Sequence, residues 1–167
     1  MNEPLSSRAS FSRAIDLIGR GELAEAEALC RAAVERSPGD VNMLGLLGAL
    51  LMKTRRHDEA EQWLRRTIDH APAFAKPHED LGHLLVERDR AAEAVPLLER
   101  SLKTGTQTIT PLRAVTRWAL AQALWDSGGD RDRARELARG ALADLEPAPA
   151  QVALRSQLER WLAAHAG

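Results

Sequence analysis

The sequence contains no tyrosine and only two phenylalanines. Strand-favouring aromatics are scarce, whereas alanine, leucine, arginine and glutamate dominate, and all four are good helix formers. A single cysteine, Cys30, excludes an intramolecular disulfide. No apolar run reaches the ~18 residues of a membrane span. The longest candidate, Val41 to Met52, is interrupted by Gly45 and Gly48. The N-terminus, Met1 to Arg13, lacks the apolar core of a signal peptide. No membrane insertion and a cytoplasmic location are the resulting expectations. Neither charge sign prevails: 23 Lys and Arg against 24 Asp and Glu leave a net charge of −1. No nucleic-acid partner is expected from that balance. With 44% hydrophobic and 28% charged residues over 167 positions, the chain is globular and sized for one domain.

What is present is a period. Ala26, Ala60 and Ala94 stand 34 residues apart, and their surroundings recur with them. Repeats of this length are stacked helix–turn–helix units. One unit reads Leu44, Leu47, Gly48, Leu51, then Ala60 and Leu64, closing at Pro72. The next reads His78, Leu81, Gly82, Leu85, then Ala94 and Leu98, with Thr106 where the proline would be. The first is divergent: Ser10, Arg13, Ala14, Leu17, then Ala26, Cys30 and Pro38. A fourth follows after an insertion, with Trp118, Ala121, Gln122 and Trp125 in the first helix and Ala134 and Ala138 in the second. The step from Ala94 to Ala134 is 40, so about six residues are inserted between repeats. Paired helices approach closely only where facing side chains are small. Gly48, Gly82, Ala60 and Ala94 supply those places.

The helix ends agree with this division. Asp40 is positioned to cap the helix carrying Leu44, and Ser37-Pro38-Gly39 breaks the one before. Thr110-Pro111 reads as a cap followed by a first-turn proline. Pro96 falls inside a helix and predicts a bend or a loosened first turn. Gly21 and Gly129 are expected to relieve the turns of repeats one and four, while Arg55 and Asp89 fill that turn without relief.

These columns resemble the tetratricopeptide repeat (TPR) pattern, W-x2-L-G-x2-Y, then A-x3-F, then P. The resemblance implies an all-α fold: a right-handed α-solenoid of about four helix–turn–helix units plus a C-terminal capping helix, in one domain spanning 1–167. The units cover about 7–40, 41–74, 75–108 and 115–147, with the cap over about 149–165. It further implies that the first helices line a concave groove. In this register the groove offers Arg8, Phe11, Ile15, Ile18, Asn42, Gly45, Ala49, Met52 and Lys53. Further along it offers Lys76, Glu79, His83, Val86 and Glu87, then Thr116, Ala119, Ala123 and Asp126. Some family members clamp a carboxylate with fixed Lys, Asn and Arg positions. Here Phe11, Ile15, Leu46 and Asp80 stand at those positions and Lys76 alone matches, which argues against an anionic chaperone tail. The implied partner is an extended or helical protein segment with apolar anchors and some basic residues, held by Phe11 and Met52. Equally, Phe11 and Ile15 could be covered by the chain's own N-terminal residues.

Several features have two readings. Leu154, Leu158, Trp161 and Leu162 form one helical stripe. It serves either as a cap on an otherwise monomeric stack or as a dimer contact through Leu154, Leu158 and Trp161. The insert Lys103 to Pro111 is a tolerated loop or a joint that resets the angle between repeats. Trp63 either packs between repeats or marks a convex contact patch.

Chemistry finds little support. Gly19-Arg20-Gly21-Glu22-Leu23-Ala24 imitates a dinucleotide fingerprint, but a helix and not a strand precedes it. Of His57, His70, His78, His83 and His165, only His78 and His83 are close, and five residues apart they do not converge on a metal. Cys30 sits in a core column. No cofactor, no metal and no catalytic residue are expected. The sequence therefore reads as a non-enzymatic adaptor. Two other readings stand beside it: a bacterial secretion-type chaperone, and the repeat half of a larger modifying system. Asp40 to Leu85 resembles repeats preceding the catalytic domain of some bacterial sulfotransferases and glycosyltransferases.

Overall fold

The computed structural model describes residues 6–105, 111–145 and 151–166. Among these, every regular element is helical. The order is α1 (Ser7–Gly19), α2 (Leu23–Arg36), α3 (Val41–Lys53), α4 (His57–His70), α5 (Ala75–Glu87), α6 (Ala91–Thr104), α7 (Pro111–Asp126), α8 (Arg131–Asp144) and α9 (Val152–Ala164). The chain forms two compact bodies, Met1–Ala73 and Phe74–Gly167. The N-terminal body holds the pairs α1/α2 and α3/α4. The C-terminal body holds α5/α6, α7/α8 and α9.

Each pair closes on small residues. Ala26, Ala60, Ala94 and Ala134 are all fully buried. Gly48 lies so near α4 that an added Cβ would sit 2.8 Å from the Leu64 side chain. At Gly82 the corresponding approach to Leu98 is 2.6 Å. The contact is one of matched volume, glycine against leucine, in a core packed too densely for either to move.

The turns inside the pairs fix the register. A backbone N–H donates to a carbonyl five residues earlier in each: Glu22 to Leu17, Arg56 to Leu51, Arg90 to Leu85 and Gly129 to Leu124. This bond belongs to a helix end that reverses through a left-handed residue. That residue is Gly21 (φ 79°), Arg55 (φ 62°), Asp89 (φ 57°) and Gly128 (φ 72°). The relief in repeat four thus comes from Gly128, not Gly129.

The same bond corrects the register of α7. Leu124 stands 39 residues after Leu85, whereas Ala134 stands 40 after Ala94. One inserted residue therefore lies in the α7–α8 turn and five lie before it. The first-helix columns are Leu120, Ala121 and Leu124, all buried, instead of Ala121, Gln122 and Trp125. Ala121 occupies the glycine column, opposite the column of Leu64 and Leu98, which in α8 is Ala138. Alanine against alanine replaces glycine against leucine. Gln122, half-buried, stands one residue past that contact.

Other expectations meet their residues. The Asp40 side chain caps α3, accepting from the N–H groups of Asn42 and Met43. Pro111 is the first residue of α7; Thr110 and 106–109 of the insert lie outside the described residues, as does Glu146-Pro147, where the sequence pattern has the fourth repeat close. Helix α6 runs unbroken through Pro96, and the loosening appears in its first turn, where Glu93 N–H bonds Arg90 O at 3.1 Å and Ala94 N–H reaches it at 3.3 Å. No described helix is long and apolar enough to cross a membrane.

Candidate interaction site

In the N-terminal body the first-helix face is open. Arg8, Ile15, Asn42 and Lys53 are exposed, and Phe11, Ala49 and Met52 are half-buried. A cleft of about 560 Å³ is lined by Ser7, Arg8, Phe11, Asp40 and Asn42. Asp40 builds it. The carboxylate that caps α3 also accepts the Ser7 hydroxyl, tying the start of α1 to the start of α3. The cleft brings Arg8, Phe11 and Asn42 together. Ala49, Met52 and Lys53 stand two to three turns further along α3 and do not line it. Residues 1–5, part of the N-terminal segment named as the alternative cover for Phe11 and Ile15, lie outside the described residues.

In the C-terminal body the equivalent face is spent internally. Lys76 Nζ donates to Glu79 Oε1 at 3.1 Å and Asp80 Oδ1 at 2.8 Å. Glu79 and Asp80 are only 7% and 9% exposed. Burial pushes both carboxyls above the usual range, against the opposing pull of Lys76. Burial also acts to lower the Lys76 ammonium, but the two carboxylates outweigh it and its pKa rises. Glu79 is bonded to Thr116 of α7, so it points between helices and not into an open groove. Burial holds His83 down to about 4, with Lys76 adding to the effect. Glu87 is exposed, as is Lys76, whereas Glu79 and Asp80 are buried.

The groove assignments on α7 change with the register. Thr116, Ala119 and Ala123 are buried at 2%, 3% and 0% exposure. The shifted face carries Val115, Trp118, Gln122, Trp125 and Asp126, and α9 covers its tryptophans. The Trp161 ring meets Trp118 and Trp125 edge-on, each at 5.3 Å between centroids. His165 stacks on Trp161 at 4.4 Å, and Arg135 bonds the His165 carbonyl at 2.6 Å. Leu158 is fully buried against Ala114, Ala138, Ala141 and Leu145, with Leu154 and Leu162 beside it. The apolar stripe of α9 is thus engaged within its own body, Leu158 completely and Leu154, Trp161 and Leu162 in part.

Two matches to tetratricopeptide repeats, over residues 17–79 and 79–155, account for this helix-pair arrangement. The chain belongs to the tetratricopeptide repeat family. No curated protein matches the sequence. Among solved structures it is similar to MamA of AMB-1, with 25% identity and a TM-score of 0.69 over 93% of this chain and 88% of that one. Pseudomonas aeruginosa PilF shares 18% identity and the fold, with a TM-score of 0.73 over 95% of this chain and 71% of that one. A Thermobaculum terrenum O-GlcNAc transferase mutant shares 23% identity and the fold, with a TM-score of 0.69 over 84% of this chain. This chain spans 26% of that enzyme's length.

As a TPR protein, the chain departs from the carboxylate-clamping members at its one matching residue, since Lys76 is already neutralised by Glu79 and Asp80. Those carboxylates were legible as candidates: three and four residues beyond a lysine, both fall on its side of a helix. Cys30 is fully buried, and burial with the nearby Glu27 pushes its thiol up to about 11, far from a reactive thiolate.

Proposed function

We propose that this TPR chain is a non-catalytic adaptor that captures a protein or peptide segment on the first-helix face of its N-terminal body. The observation that carries the reading is the cleft at Arg8, Phe11 and Asn42, continued by the exposed Ile15. It offers an apolar side chain, an exposed cation and an amide in one concavity, the composition of a specific protein site. Arg8 has no carboxylate partner among the described residues, so its charge is available. The acidic contribution first expected from Glu79 falls away with its burial, and Glu87 is what remains of it. The preferred segment therefore presents an apolar anchor for Phe11, a polar group for Asn42 and an acceptor for Arg8. Met52 and Lys53 extend the contact toward the end of α3.

Affinity capture from the source lysate, read by mass spectrometry, tests this. Phe11→Ala and Met52→Asp should each reduce recovery of a partner at least about tenfold, the range of a lost interface anchor. Unchanged capture by both would remove the groove from the account. The identity of the captured protein separates an adaptor from the two other readings. An exported substrate would indicate a secretion chaperone acting in the cytoplasm, and a modifying enzyme would indicate the repeat half of a larger system.

A further inference from the structure

The second helices of the N-terminal body carry a separate feature that the first-helix face does not explain. Helix α4 buries Ala60, Leu64 and Thr67. Trp63 stands off that column and remains half-buried, with its indole N–H unbonded among the described residues. It lines a cavity of about 210 Å³ between α2 and α4, together with Arg31, Val34, Glu35, Pro38 and Arg66. The Arg66 guanidinium lies 5.3 Å from the Trp63 ring centroid, and its Nη2 donates to the Pro38 carbonyl at 3.1 Å. These two contacts hold the side chain in place without neutralising it.

The neighbouring arginines differ. Arg31 and Arg56 share Glu27 and Glu59 in a closed ring of contacts between 2.5 and 2.9 Å. Arg65 pairs with Glu61 at 2.8 Å. Arg66 has no carboxylate among the described residues, and Glu35, on α2, has no cation. Two opposite charges therefore line one cavity from different helices without pairing, and the surface between them is the apolar set Val34, Pro38 and Trp63. The volume is below that of sites for drug-sized molecules and suits a single side chain. Tryptophan and arginine are also the residue types that dominate interface energetics, and a pre-held arginine loses little rotamer freedom on binding.

We propose that the α2–α4 cavity docks a short peptide segment of a protein partner, in which one apolar side chain is flanked by an acidic and a basic residue. The apolar side chain enters against Trp63, the carboxylate meets Arg66 and the cation meets Glu35. This site is independent of the first-helix cleft and would let the module hold two segments at once.

The test is a nuclear magnetic resonance titration of the full chain with acetyl-Glu-Leu-Lys-amide, following the Trp63 indole N–H. A saturable shift is expected, weakened about three- to fivefold by Arg66→Gln and by Glu35→Gln, the range of a partly exposed ion pair. Serine in place of the leucine should abolish it, and Phe11→Ala should leave it unchanged, which separates this site from the proposed function. Circular dichroism of each variant checks that the helices are intact. The proposal is overturned by the absence of a saturable shift up to about 10 mM peptide, by equal shifts with the serine peptide, or by folded variants that bind as the parent does. It is also overturned if raising the protein concentration alone moves the Trp63 signal, because a second copy would then be the occupant.

Discussion

Phe11 and Gly45 occupy one first-helix column in the N-terminal body; Glu79 and Trp118 occupy it in the C-terminal body. In the former, Phe11 lines a cleft of about 560 Å³. In the latter, Glu79 is 7% and Trp118 6% exposed, one engaged by Lys76 and Thr116 and the other by Trp161. The same helix-pair geometry thus yields one face that is open and one that is covered by its own chain. A repeat specifies how helices meet; what the first-helix face does is decided by the few side chains that packing leaves over.

The largest expected contrast is in truncation of apolar side chains. Leu158→Ala, at the fully buried position of α9, should destabilise the C-terminal body by about 2–4 kcal/mol. Ile15→Ala, at 47% exposure, should stay within about 0.5 kcal/mol. Chemical denaturation of both variants checks the pair, and equal losses would erase the distinction between closed and open faces. Next come the glycine contacts, which should be alike in the two bodies. Gly48→Ala and Gly82→Ala each force a methyl group to within 2.8 and 2.6 Å of a buried leucine. Each should cost about 1–3 kcal/mol by thermal unfolding, whereas Ala121→Gly in α7 relieves no crowding.

Acid should separate the bodies more finely. His83 has its folded pKa lowered from 6.5 to about 4, so the neutral ring is the stable folded form. Its contribution is full above 6.5 and is lost as pH falls toward 4. For Glu27, burial works upward but Arg31 and Arg56 prevail, and Glu59 is likewise lowered by Arg56 and Arg31. Their contribution is present above the ordinary carboxylate value of 4.5 and is lost only as pH falls below it. Glu79 and Asp80 have the opposite sign: raised by burial, they weaken the fold as they ionise, and acid restores that loss. Because Glu79 and Asp80 act oppositely on the same helix, His83 is isolated by comparison with His83→Asn: between pH 6.5 and 5 the parent should lose α5 amide protection relative to that variant. Parallel α5 protection in the two proteins across that range would show that burial of His83 is not felt as stability.

The smallest effect belongs to the turns. Arg55 and Asp89 both hold the left-handed backbone that Gly21 and Gly128 adopt freely. Arg55→Gly should stabilise by about 0.5–1 kcal/mol, and Asp89→Gly by less, because a short polar side chain tolerates that region better. A loss of melting temperature in Arg55→Gly would contradict the strain.

Much of the fold was legible because it rests on residues with one physical use. The 34-residue spacing of alanines, Asp40 before a helix and Pro111 at a first turn each admit little else. The register of α7 was not legible. Its tryptophans imitate the family's aromatic columns, and a single residue inserted between Gly129 and Ala134 is invisible without the turn bond that Gly129 makes to Leu124. The site was only partly legible, since a side chain on a first helix reads the same whether its face is open or covered. Phe11 and Asn42 remain on a cleft; Glu79 turned inward because α7 supplied Thr116, and no column spacing announces that.

The most direct test is the hydrogen-exchange footprint of a captured partner on the intact chain. New protection is expected over α1 and the first turns of α3, with α7 and α9 unchanged. Protection concentrated on α7 and α9, with α1 exchanging as in the free chain, would contradict it.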